Sequence, residues 1–342
     1  MGRIFPSSRV AEPPPALLSD ALGRQITYLR LSVTDRCNLR CLYCMGNDTN
    51  IKFLPKGEIL SLEEMERLAA AFIRLGVRKL RLTGGEPLLR PGVMGLIERL
   101  GARLASGELD ELTLTTNGTL LAEHAAGLVA AGVRRVNVSL DTLEESTFRL
   151  ITQRGGLNEV LAGIDAARAA GLAVRINIVA LAGINDSEFD RLIQWCGEHG
   201  CDLALIESMP LGGMGSEHYL PLDAVLWHLA HRWTLQPSAS QTRGPCRYWE
   251  IGETGRRLGL IAPMSHAFCA DCNRVRVTSA GQLVTCLARR GGADLRAALR
   301  GSEADSNLEA AIRSAIASKP ASHRFAVDRA AASEQRMWQL GG

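Results

Sequence analysis

The chain has 342 residues, 46% of them apolar and 22% charged, with a net charge of +3. That length and apolar content are enough for one large or two ordinary domains with a sizeable core. The near-balanced charge gives no general nucleic-acid or membrane-binding surface, and no uncharged apolar run is long enough to span a bilayer. Residues 1–20 hold no apolar stretch followed by a small-residue cleavage site, so no secretory signal is expected and a reducing, cytoplasmic compartment follows. Pro13-Pro14-Pro15 makes residues 1–22 read as a stiff arm, flexible as a whole.

From Tyr28 to Glu207, strand-like and helix-like segments alternate. The expected strands are Tyr28–Val33, Lys79–Leu82, Glu111–Thr115, Arg135–Leu140, Ala173–Val179 and Leu203–Ile206. The expected helices are Leu62–Leu75, Val93–Leu104, Ala122–Ala131, Leu157–Ala170 and Ser187–Glu198. Gly76, Gly132 and Gly171 sit where a C-terminal cap needs a positive φ. Ser61 with Glu64 forms a capping-box pattern, and Asp186 stands where an N-cap belongs. This rhythm is that of βα units with a parallel sheet. Six units fall short of the eight of a closed barrel, so the fold expected is α/β, a partial, six-unit, TIM-like βα barrel over residues 23–210. After Met209 the rhythm breaks. Residues 211–342 read as a C-terminal extension: a glycine-rich loop, a helix at Leu222–Trp233, short strands within Arg247–Thr278 and a last helix at Leu308–Ala317.

Nine cysteines is a high count for a chain in a reducing compartment. Cys196, Cys201 and Cys246 are scattered, and six others form two tight groups. A disulfide framework does not suit a chain of this size without a signal peptide, so clustered thiols point to metal or cluster ligation. Cys37, Cys41 and Cys44 have spacing C-x3-C-x2-C directly after the first strand. Loops at the carboxyl ends of barrel strands are where such folds keep their active sites. Three thiolates hold three irons of a [4Fe–4S] cube and leave the fourth open. A structural zinc site would want a fourth ligand, which the neighbouring sequence does not offer. Cys269, Cys272 and Cys286, with spacing C-x2-C-x13-C, form the second group. A second [4Fe–4S] cluster, carried by the C-terminal extension, is the favoured reading. A zinc or four-ligand site completed by His266 or Cys246 is the rival.

The first triplet resembles the signature of the radical S-adenosylmethionine (SAM) superfamily. The resemblance implies that SAM chelates the open iron and yields a 5′-deoxyadenosyl radical, with Tyr43 beside the adenine. Thr83-Gly84-Gly85-Glu86-Pro87, after the second strand, is similar to the superfamily motif assigned to the SAM amino group, which implicates Gly84, Gly85 and Glu86. Ser139 and Met209 also match SAM contacts. The segment Gly259 to Arg276, the opening Tyr28 to Cys37 and the closing Gly341-Gly342 narrow the resemblance to the GTP 3′,8-cyclase family of molybdenum-cofactor biosynthesis. It runs from about Gly23 to Gly342.

That resemblance implies GTP at the second cluster, with Arg30, Arg81, Thr115, Arg274 and Arg276 as contacts. Arg30 and Arg81 interrupt apolar strands, so they are expected to face inward, and a buried arginine needs an anion. The implied reaction takes hydrogen from the ribose 3′ carbon. The sugar radical attacks guanine C8, and the resulting aminyl radical is reduced, with the second cluster as electron source, giving 3′,8-cyclo-7,8-dihydro-GTP. Arg276, Gly341 and Gly342 are the residues implied to assist the radical step. Partners implied are an electron donor such as a flavodoxin or ferredoxin, a downstream cyclic pyranopterin monophosphate synthase, and a second copy of the chain in a homodimer. Two positions depart from the family pattern: Arg175 replaces a lysine at a phosphate contact, and Ala204 replaces an arginine near the SAM site. A radical SAM enzyme acting on another nucleotide or on a peptide is the alternative, and a non-catalytic zinc scaffold is a third reading.

Overall fold

Strands buried on both faces read as near-continuous apolar runs, and here they are interrupted on one face only. Leu29 and Leu31 of the first strand are fully buried in the apolar core, while Tyr28 and Arg30, which alternate with them, point to the opposite side. The computed structural model describes residues 17–46, 51–211, 216–238, 244–288, 292–323 and 336–341. Gly342, residues 1–16 and most of the glycine-rich loop after Leu211 lie outside them.

Among the described residues the strands are β1 (Tyr28–Ser32), β2 (Lys79–Thr83), β3 (Glu111–Thr116), β4 (Arg135–Ser139), β5 (Ala173–Ala180), β6 (Asp202–Glu207), β7 (Leu235–Pro237), β8 (Cys246–Ile251), β9 (Arg256–Ile261), β10 (Arg274–Val277), β11 (Gln282–Val284) and β12 (Ala293–Asp294). They form one sheet in the order β12-β11-β10-β1-β2-β3-β4-β5-β6-β9-β8-β7. The six expected βα units are β1 to β6, all parallel. The extension does more than carry short strands. β10 joins β1 in parallel at one edge, and β9 joins β6 in parallel at the other. No helix precedes either strand in the βα manner: β9 is the second arm of a hairpin with β8, and β10 follows the cysteine loop. Their parallel role therefore left no rhythm in the sequence.

The helix Leu62–Arg74 begins at the expected capping box: Ser61 Oγ accepts from the Glu64 N–H at 3.1 Å, and a Glu64 carboxylate oxygen accepts from the Ser61 N–H at 2.7 Å. Asp186 does not cap as expected. It lies inside a 3-10 turn that leads into the helix Phe189–Glu198.

The core is continuous across the expected boundary at residue 210. Leu308, Ile312 and Ile316 of the helix Asp305–Ala317 share one apolar cluster with the barrel residues. Arg67 and Arg74 add ion pairs to Asp305 on that helix. Residues 17–22, expected as part of the flexible arm, are packed: Leu18 is buried and its N–H donates to the Leu75 carbonyl at 3.0 Å. A buried leucine gains more from the core than the polyproline context predicts. No helix among the described residues is long and apolar enough to cross a membrane.

Candidate active site

The inward faces of β1 to β6 and of β8 wrap a cavity of about 490 Å³. Register decides its character. Arg30 on β1 stands opposite Arg276 on β10 and Arg81 on β2, so three guanidinium groups lie abreast on one face. All three are buried. Burial pushes Arg276 down to about 9 and Arg81 down to about 10; Arg30 is also pushed well down, by burial and by Arg276 beside it. Like charges opposite one another destabilise a sheet, so a buried row of this kind suits an anionic neighbour. One register step away Arg274, Tyr28, Lys79 and Glu111 line up in the same manner. Burial would raise the Tyr28 phenol, but Arg81, Arg30, Arg274 and Lys79 outweigh it and bring it down to about 8.

Among the described residues several buried polar atoms here lack a hydrogen-bond partner: Arg81 Nε, Arg175 Nε, Thr115 Oγ1, Asn177 Oδ1 and Tyr28 OH. Native proteins leave few such atoms unmet, so the cavity is shaped for a polar, anionic ligand. Arg175, expected at a phosphate contact, lines the cavity and donates through Nη1 to the Tyr248 hydroxyl at 2.7 Å. Ala204 packs against Cys246 and Tyr248, which fill the space beside it on the sheet.

Cys37, Cys41 and Cys44 all face this cavity from the loop and short helix after β1. Burial pushes Cys37 up to about 11 and Cys44 up to about 12; Cys41 is also raised well above its ordinary value, by burial and by its neighbours Cys44, Asp141 and Cys37. Thiols crowded in this way ionise together only when bound iron replaces their protons. No three His, Cys, Asp or Glu side chains among the described residues converge tightly enough for a single ion. Three thiols spread round an open cavity suit a larger cubane instead, and the donor set fits a [4Fe–4S] cluster.

The residues expected at SAM divide. Tyr43, Gly84, Gly85, Ser139 and Met209 line the cavity. A Cβ on Gly85 would lie 2.2 Å from the Arg36 carbonyl oxygen, so only glycine lets the motif pass under the cysteine loop. Glu86 does not line the cavity. Its fully buried carboxylate accepts from Thr116 Oγ1 at 2.8 Å and from the N–H groups of Asn117 at 2.7 Å and Leu88 at 3.1 Å. It braces the loops after β2 and β3, and burial pushes it up to about 7.

Cys286 interacts electrostatically with Cys269 and Cys272, and Asn273 and Arg274, which directly follow Cys272, line the cavity. The three cysteines themselves lie outside the cavity lining, joined to it through Asn273 and Arg274. His266 is turned away from it, 48% exposed, with Nε2 2.7 Å from Asp223 Oδ2. Cys246 sits on β8 at the opposite side of the strand order. Neither completes a four-ligand site, and three thiols remain.

The segment 336–341 enters the cavity. Trp338 and Leu340 are buried, and Trp338 packs edge-on against Phe53 with ring centres 5.5 Å apart. The Gly341 carbonyl accepts from Arg30 Nη2 at 3.0 Å and from Arg276 Nη1 at 3.3 Å. Arg276, expected at GTP, is thus engaged with this tail. Gly341 has φ +79°, and a Cβ there would lie 2.5 Å from Thr83 Oγ1.

Residues 31–196 match the family described as Radical SAM superfamily, and residues 201–325 match Molybdenum Cofactor Synthesis C. A protein of Sinorhizobium medicae named GTP 3′,8-cyclase is 52% identical over 326 residues, covering 94% of this chain and 93% of that one. The chain belongs to the GTP 3′,8-cyclase family. Proteins of the same name from Rhizobium meliloti and Caulobacter vibrioides are 53% and 52% identical, each covering 94% of this chain and 93% of their own. Among solved structures, Streptococcus suis SuiB is similar in fold, with a TM-score of 0.58 at 16% identity, covering 87% of this chain and 69% of that chain.

Several groups that shape this family member's site escaped the sequence reading. Asp141 ends the β4 motif that holds Ser139. It accepts from the Tyr43 hydroxyl at 2.8 Å and from the Val179 N–H at 2.7 Å, and burial pushes it up to about 6. Tyr28 opens β1 two residues before Arg30, where period-2 alternation alone puts it on the cavity side. Lys319 lies beside the second cysteine group with no nearby motif to mark it.

Proposed function

We propose that the cavity holds GTP and SAM together and converts GTP to 3′,8-cyclo-7,8-dihydro-GTP, the first step of molybdenum-cofactor biosynthesis. The observation that carries this is that Arg30, Arg81 and Arg274 face the same cavity as Cys37, Cys41 and Cys44, with Arg276 beside Arg30 in the sheet. One space offers cation forks for a triphosphate and thiolates for a cluster that binds SAM.

Two [4Fe–4S] clusters fit the thiols. Cys37, Cys41 and Cys44 hold the first, Cys269, Cys272 and Cys286 the second, and each keeps one iron without a protein ligand. Bound SAM, reduced through the first cluster, supplies a 5′-deoxyadenosyl radical that takes the ribose 3′ hydrogen. The chain's residues set the positions. Gly84 and Gly85 let the backbone approach the SAM amino group, Tyr43 stands at the adenine with its hydroxyl held by Asp141, and Ser139 and Met209 border it. Arg81, Arg274 and Arg175 bind triphosphate oxygens, and Thr115 Oγ1 donates to the substrate. Arg30 and Arg276 serve both the substrate and the Gly341 carbonyl, so the tail and the nucleotide share one anchor. Such placement of reacting atoms is the main contribution a protein makes when its cofactor carries the chemistry. Closing the ring at C8 leaves an aminyl radical that needs one electron and one proton. Arg276, Gly341 and Gly342 are assigned to guiding that radical.

A flavodoxin or ferredoxin as electron donor, a pyranopterin monophosphate synthase taking the product, a homodimer and a cytoplasmic location belong to the same proposal. Anaerobic reconstitution with iron and sulfide, followed by GTP, SAM and dithionite, tests it. 5′-Deoxyadenosine and the cyclised nucleotide are expected in equal amounts. SAM cleavage that ignores GTP and yields no cyclised nucleotide would overturn it.

A further inference from the structure

Lys319 follows the helix Asp305–Ala317 and is 6% exposed. Its ammonium donates to the Arg274 carbonyl at 3.0 Å and to the Thr285 carbonyl at 2.5 Å. It also lies against the Cys272 thiol. No carboxylate is among these partners. A buried ammonium bound only to neutral groups is costly, and a methionine or leucine would fill the volume at less expense. The arrangement makes sense if the sulfur beside it is anionic.

The location is specific. Cys269 and Cys272 precede β10, Cys286 follows β11, and β10 and β11 form an antiparallel pair. The Arg274 carbonyl is two residues after Cys272, and the Thr285 carbonyl belongs to the residue before Cys286. One ammonium therefore pins both segments that carry the second cysteine group. Arg24 completes the clamp. Its Nη1 donates to the Cys269 carbonyl at 2.7 Å, and its Nη2 to the carbonyl of Pro320, next to Lys319, at 2.7 Å. Asp20 holds the Arg24 Nε at 2.5 Å, so Arg24 brings its own counter-ion, whereas no carboxylate among the described residues pairs with Lys319.

We propose that Lys319 is a positioning residue of the second cluster: it ties together the segments that carry Cys272 and Cys286 and sets a positive charge against the thiolates. This rests on the assignment of Cys269, Cys272 and Cys286 to a [4Fe–4S] cluster. A fixed cation beside a cluster favours its more negative, reduced form, so Lys319 raises the midpoint potential and eases electron entry at the substrate-facing cluster.

The test uses the full chain carrying Cys37→Ala, Cys41→Ala and Cys44→Ala, so that all remaining iron belongs to the second group. Lys319→Met removes the charge at similar volume, and Lys319→Arg keeps it. The expected result is a midpoint potential, followed by electron paramagnetic resonance, that moves negative in Lys319→Met and stays near the parent in Lys319→Arg. Iron loss to a chelator should be several-fold faster in Lys319→Met, while the iron-free protein keeps the parent's circular dichroism. A potential unchanged in Lys319→Met overturns the proposal whatever the rate of iron loss. So does a Lys319→Met chain that fails to fold without iron, since the lysine would then be a strut of the fold. If the parent of this series takes up no cluster, the cluster assignment itself falls; if its cluster forms normally and ignores Lys319, only the role of the lysine falls.

Discussion

Arg30 on β1 and Arg276 on β10 stand abreast in the sheet and donate to one acceptor, the Gly341 carbonyl, at 3.0 and 3.3 Å. The contact joins strands and tail from opposite ends of the sequence. It also commits two buried cations to a backbone oxygen whose position then depends on Gly341 keeping φ +79°.

Gly341→Ala is therefore the most informative tail variant. Its Cβ would fall 2.5 Å from Thr83 Oγ1 and 3.2 Å from the Ser32 Cβ, in a backbone conformation that alanine resists. Fold and iron content should match the parent, because Trp338 and Leu340 keep the segment anchored. The ratio of cyclised nucleotide to 5′-deoxyadenosine should fall by tenfold or more, on the order of the cost of a misplaced reactant. A chain ending at Leu340 should behave alike. An unchanged ratio at normal turnover would remove the tail from the mechanism.

The cation row gives a binding prediction. Arg81→Ala and Arg274→Ala should each weaken GTP binding by about 1.5–3 kcal/mol, the range for a hydrogen bond to a charged group. Arg276→Ala should lower GTP affinity and the cyclisation ratio together, since Arg276 also holds Gly341. Anaerobic calorimetry on cluster-loaded protein measures the affinities. Parent-like affinity in both Arg81→Ala and Arg274→Ala would place the triphosphate elsewhere.

Cys37→Ala, Cys41→Ala and Cys44→Ala should each abolish 5′-deoxyadenosine formation, because each removes a thiolate from the cavity-facing triplet. Iron content should drop by about one cluster's worth while the second group stays loaded. Near-normal SAM cleavage by any of the three would refute the assignment.

Glu86 gives a pH dependence in the iron-free chain. Burial raises its carboxyl from the ordinary 4.5 to about 7, so between those values the folded chain keeps a proton that the unfolded chain has released. Stability conferred by that proton is complete below about 4.5 and is lost as pH rises toward 7, by at most about 1.4 kcal/mol per pH step. Asp141, raised to about 6, acts in the same direction. Denaturant unfolding across this window should show a shallower decline with pH in Glu86→Gln than in the parent. Identical slopes would mean that the hydrogen bonds from Thr116, Asn117 and Leu88 keep Glu86 ionised throughout.

The barrel was legible because βα rhythm is local: apolar strand, amphipathic helix and capping glycine recur within some thirty residues. The cysteine groups were legible by spacing, and Arg30 and Arg81 because each breaks an apolar run. What escaped depends on pairing between distant segments. That Arg276 lies beside Arg30 follows from β10 joining β1 in parallel, a contact with no helix to announce it. Lys319 meets Thr285 across 34 residues and Arg274 across 45. Glu86 shows the limit of a motif: Gly-Gly-Glu-Pro marks a place in the chain, whereas burial decides that its carboxylate turns into the loops and away from the cavity.

The central claim is that one cavity brings the ribose of GTP to the radical that SAM supplies. GTP deuterated at the ribose 3′ carbon tests this most directly, with mass spectrometry of both products after anaerobic turnover. The account predicts deuterium in 5′-deoxyadenosine and a cyclised nucleotide that has lost it in equal measure. Unlabelled 5′-deoxyadenosine, or a nucleotide product that retains the 3′ deuterium, would contradict it.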